Sequence, residues 1–165
     1  MSTPHFFGIY LNDHLAALTG GIELAKRSLA NNREGQLAEL LTTLSRSMEE
    51  ERDIVLQLLS RTGTPPNKAK MVAAWAAERL GRLKLNGKLT AYSDLSRVVE
   101  LEALSVITHL RAVFWRTVAG VGVEGDLLSG LDVDGLVSGS RQQLDGIDAQ
   151  LRSAADRAFG TVSAR

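Results

Sequence analysis

Spaced three and four residues apart, apolar side chains recur along most of this chain, the pattern that winds onto one face of an α-helix. Phe7, Leu11, His14, Leu18, Ile22, Ala25 and Leu29 fall on one side of a helix predicted from about 5 to 30. Leu37, Leu41, Leu44, Met48, Glu51, Val55 and Leu58 mark a second, from about 35 to 62, after a polar break at Asn31 to Gly35 short enough to demand an antiparallel hairpin. Gly63, Thr64, Pro65 and Pro66 stop it and start a third segment, whose apolar face is Val72, Trp75, Ala76, Leu80 and Leu83 and whose end is Asn86 and Gly87. A fourth helix is predicted from about Ser93 to Val118, with Ser93 or Asp94 as N-cap. On it, Leu95, Val98, Val99, Glu102, Val106, His109 and Val113 are read as the inward stripe, with Arg97, Glu100 and Arg111 opposite. The last helix turns Leu136, Leu144, Ile147, Leu151, Ala154 and Ala158 inward, with Asp132 or Asp134 as its cap. No stretch alternates with period two between turn residues, so no sheet is expected.

The expectation is an all-α chain forming one helical-bundle domain over residues 1–165, with its core at about 5–158 and a frayed tail at 160–165. Two long helices, a connection carrying its own helix, then two more long helices is the order of bundles with one long crossover. In that layout the chain resembles the ferritin-like superfamily, which implies a four-helix bundle with a helical long crossover between helices 2 and 3 of the bundle. The strings LNDHLAALTGG and WAAERLGRLKLNGKL are also similar to an actinobacterial protein family, a resemblance that implies no activity.

Ferritin-like di-iron proteins use a glutamate on each of two helices and a Glu-x-x-His pair on each of the other two. This chain has no Glu-x-x-His; position 53, where Glu50 would need a histidine, is aspartate. A standard di-iron centre is therefore not expected. Four polar residues nevertheless interrupt the apolar stripes: His14, Glu51, Glu102 and His109. His14 and Glu51 sit at nearly equal distance from the first hairpin turn and are expected to face each other, with His109 near their level and Glu102 about two turns away. A buried carboxylate or imidazole must be paired, neutralised or used. Two readings stay open: a hydrogen-bonded structural cluster, and a divergent site for a zinc, iron or manganese ion in a metal store or redox enzyme.

The remaining features narrow the function only by exclusion. Nineteen basic and nineteen acidic residues cancel, so no global field draws the chain to nucleic acid or anionic lipid. Lys68, Lys70, Arg79, Arg82, Lys84 and Lys88 form a basic strip on the crossover without interleaved aromatics, read as a solvated face. Cysteine is absent, which removes disulfides and thiolate ligands and fits a cytoplasmic protein. Asp132 to Gly135 lacks the further acids of a calcium loop, and no Gly-x-Ser-x-Gly elbow occurs. Leu101, Leu104, Ile107, Phe114 and Trp115 fall outside the inward stripe assigned to the fourth helix, apolar surplus that either a homodimer or the crossover helix would cover. The functional expectation is a non-enzymatic binding, scaffold or regulatory bundle.

Overall fold

The computed structural model describes residues 3–70, 92–120 and 127–160. They form four long helices: α1 (Thr3–Asn31), α2 (Gly35–Arg61), α3 (Asp94–Gly120) and α4 (Val133–Phe159), with no strand among the described residues. The expected crossover helix and the cationic positions Arg79, Arg82, Lys84 and Lys88 lie outside the described residues, as do residues 161–165 of the tail.

The helix ends follow from local chemistry. The Ser93 hydroxyl accepts from Ser96 N–H at 3.1 Å and caps α3, while Asp132 Oδ1 accepts from Gly135 N–H at 2.8 Å and caps α4. α2 begins at Gly35, whose φ of +76° turns the chain out of α1 in a conformation that costs glycine nothing.

Antiparallel neighbours are fixed by contacts along their lengths. α1 and α3 touch through Arg27 and Glu100 at one end and His14 and Phe114 toward the other. α3 and α4 meet through Asp94 and Arg157 and again through Arg111 and Gln143. α2 meets α4 through Ser47 and Gln143, and Arg61 reaches back to the carbonyl of Leu127 at 2.7 Å. The chain therefore runs up in α1, down in α2, down again in α3 and up in α4. With α1–α2, α3–α4, α1–α3 and α2–α4 as the adjacent pairs, the parallel helices α2 and α3 oppose each other across the bundle diagonal.

One hydrophobic core draws on all four helices. In α2 the buried row is the predicted one, Leu37, Leu41, Leu44, Met48, Glu51, Val55 and Leu58, stepping alternately by four and three. In α3 the buried row is Leu101, Leu104, Thr108, Arg111, Trp115 and Val118, with the same alternation. That spacing averages 3.5 residues and keeps one seam on the bundle axis, as in a coiled coil. Helices approach closely where α1 carries Gly21: a Cβ there would stand 2.9 Å from Ile107 Cγ2 and 3.0 Å from Met48 Sδ. Among the described residues, no helix is long and apolar enough to cross a membrane.

The face of α3 differs from the sequence expectation. Glu102 and His109 are exposed and Val106 is 70% exposed, whereas Leu101, Leu104, Phe114 and Trp115 are fully or almost fully buried. The side chains read as surplus apolar surface are core, so they no longer argue for a dimer. Arg111, expected to face solvent, is only 3% exposed.

A polar and aromatic layer across the bundle as candidate functional site

Of the four residues singled out in the sequence, the structure buries two, His14 and Glu51, and leaves Glu102 and His109 in solvent. The expected convergence of all four is thus corrected; α3 is turned so that Arg111 and Trp115, not Glu102 and His109, point at Glu51. Among the described residues no group of three or more His, Cys, Asp or Glu side chains could hold a metal ion.

Glu51 receives Arg111 in a two-pronged ion pair: Nε donates to Oε2 at 3.0 Å and Nη2 donates to Oε1. Trp115, one turn further along α3, donates its indole N–H to Oε2 at 2.8 Å. The carboxylate thus accepts three hydrogen bonds, all from α3, across the diagonal of the bundle. Arg111 Nη1 donates to Gln143 Oε1 on α4 at 2.8 Å, and Gln143 Nε2 donates to the Ser47 hydroxyl, one turn before Glu51 on α2, at 2.8 Å. Each residue comes from a row predetermined by spacing: Ser47 and Glu51 are four apart on α2, Arg111 and Trp115 four apart on α3, so each pair stacks on one helix face. A planar guanidinium matching a carboxylate with two parallel donors is the strongest geometry such a pair can adopt. Burial of both charges makes it costly to form and costlier to break.

The layer continues to α1 through rings. Phe114 packs edge-on against Trp115 with centroids 4.6 Å apart, and the His14 imidazole stacks on Phe114 with centroids 4.2 Å apart. Tyr10 closes the row edge-on to His14 at 4.5 Å. His14 and Glu51 therefore share a level, as their distances from the hairpin turn imply, but Phe114 and Trp115 connect them.

Burial holds the His14 pKa below the ordinary imidazole value, against a smaller opposing pull from the Asp13 carboxylate. The unfolded chain then takes up the proton at a higher pH than the folded one. The stability this residue confers is complete above about pH 6.5 and falls as pH drops below that value toward the folded-state pKa. Urea midpoints measured from neutral pH downward should decline, and His14→Leu should flatten that decline; an unchanged slope in the variant would assign the acid sensitivity elsewhere.

A second polar group sits at the α1–α2 turn. Asn32 donates to the Tyr92 hydroxyl at 2.8 Å and accepts from Arg97 Nε at 2.7 Å, while Tyr92 donates to Glu100 at 3.1 Å beside the Arg27–Glu100 pair. At the opposite end, Asn12 Nδ2 donates to the Pro65 carbonyl at 3.2 Å and its Oδ1 accepts from Asn67 N–H at 2.6 Å, and Lys70 pairs with Asp13. These two clasps fasten the chain where it leaves α2 and where it enters α3. Of the basic strip, Lys68 is exposed and Lys70 is engaged in that pair.

Arg111, read as facing solvent, and Trp115, read as surplus apolar surface, are the site residues that sequence reasoning turned away from the axis; Arg111 is the cation it missed. Its signal was its place in the row Leu104, Thr108, Arg111, Trp115, one heptad step from Leu104 and Val118. Compared with protein-family models, curated proteins and solved structures, the chain matches none.

Proposed function

We propose that this chain is a ferritin-like helical bundle without a standard di-iron site, acting as a non-enzymatic binding, scaffold or regulatory protein. The observation that carries the reading is the state of Glu51: its carboxylate already accepts from Arg111 twice and from Trp115, so the charge is neutralised from within the chain. A ferritin-like metal centre needs inward carboxylates free to bind the ion. Here the position is spent on holding α2 against α3. Directions up, down, down and up, with a long connection between the two parallel helices, support the ferritin-like layout. The layer, in this reading, fixes which helices lie diagonal to one another and in what register, a role for which buried ionic groups have precedent.

Elemental analysis of protein purified without a histidine tag should find less than about a tenth of an equivalent of zinc, iron or manganese, also after incubation with each ion. Aerobic iron(II) should be oxidised no faster with the protein than in buffer. Stoichiometric metal that is lost on Glu51→Gln would overturn the proposal in favour of a divergent metal centre.

A further inference from the structure

The stripe that faces outward on α3 is apolar at its centre and charged along one flank. Counting 100° per residue, Val106 lies opposite Trp115, and Leu95, Val99, Leu110 and Val113 fall within about 40° of Val106. Val106 is 70% exposed, Leu95 47% and Leu110 38%, while Val99 and Val113 are half-buried. Phe114 and Ile107 mark the flank toward α1, through His14 and Gly21. Glu102 and His109 share the other flank, both exposed and seven residues apart. The clasps that fasten the chain at Lys70 and Tyr92 lie on α1 and on the α1 side of α3, through Asp13 and Glu100.

An antiparallel two-fold applied to this stripe, with its axis midway between Glu102 and His109 and next to Val106, keeps each flank on its own side and reverses the direction of the helix. Glu102 then stands opposite the partner's His109, and His109 opposite the partner subunit's Glu102, with Val106 against its own copy. An imidazole donates to a carboxylate in either protonation state. We infer that the outward face of α3 is a self-complementary docking surface for a second copy of this chain, held by a Val106-centred apolar contact and two reciprocal Glu102–His109 pairs. A closed two-fold interface requires such reciprocity, since each contact must occur twice.

Light scattering on a sizing column, from about 1 to about 100 μM protein, should find a dimer that dissociates on dilution. Val106→Glu, a change on a side chain already in solvent, should raise the dimer dissociation constant on the order of 100-fold while far-UV circular dichroism stays unchanged. Glu102→Lys and His109→Glu, each placing unmatched partners across the axis, should each weaken the dimer by about 10-fold. The two changes combined exchange the members of each pair and should bring affinity back to within about 3-fold of the parent. A monomer throughout the range, as intramolecular cover of the stripe by residues 71–91 would produce, overturns the inference. So does a dimer indifferent to Val106→Glu, or a double variant no tighter than the singles.

Discussion

Glu51→Leu should cost the fold about 3–5 kcal/mol, read as a fall in urea midpoint with an unchanged slope. The variant leaves the Arg111 guanidinium buried with Gln143 as its remaining partner, and an uncompensated charge in a low-dielectric core is the largest single penalty this layer can suffer. Arg111→Met should cost a similar amount by stranding the Glu51 carboxylate. Glu51→Leu with Arg111→Met should recover part of the loss, because no charge is left buried and unpaired, less the cost of leaving the buried Trp115 N–H without its acceptor. A double variant as unstable as the sum of the singles would mean that the two side chains do not act on each other. Where the double variant regains stability, the pair adds little net stability over an apolar contact, and a role in specificity is read separately. Proteolysis and hydrogen exchange should then report a looser α2–α3 diagonal at equal global stability.

That pair also explains which parts of the structure were legible in the sequence. On α2 the apolar row is strongly one-sided, and the predicted row is the buried one, with Glu51 correctly inward; on α1 the predicted Leu11, His14, Leu18, Ile22 and Ala25 are buried, but Phe7 and Leu29 are half-buried and Leu15, Leu24 and Ser28 are buried beside the row. Helix boundaries at Ser93 and Asp132 were legible because caps have a local chemical signature. α3 was misread because it is apolar on two faces. Leu95, Val99, Val106 and Val113 form one row, and Leu101, Leu104, Trp115 and Val118 the other. The core row carries polar residues at Thr108 and Arg111, so by hydropathy it scores lower than the solvent-facing row. A charge within a row counts against burial only when no partner is known; once Glu51 is placed on the axis, a nearby helix needs a cation, and Arg111 is the residue that keeps step with Trp115. His14 was placed inward correctly, but its aromatic neighbours depended on the rotation of α3 and could not be read before that rotation was known.

Trp115→Ala should also cost about 3–5 kcal/mol, by a different route. The indole is completely buried between Phe114 and the Glu51 carboxylate, so truncation opens a cavity at the centre of the layer and removes one of three donors to Glu51. Trp115→Phe separates the two losses. It keeps most of the ring volume and deletes the N–H, so it should cost about 1–3 kcal/mol, the penalty of leaving a buried acceptor one bond short. Circular dichroism at 222 nm is the appropriate readout, since the substitution removes a fluorophore. In the Glu51→Leu, Arg111→Met background the same Trp115→Phe change should carry no hydrogen-bond penalty, because there is no longer an acceptor to lose. Equal costs in both backgrounds would show that the indole acts by packing alone; a cost confined to the parent would tie the aromatic row from α1 to the ionic pair from α2 as one cooperative layer spanning the bundle.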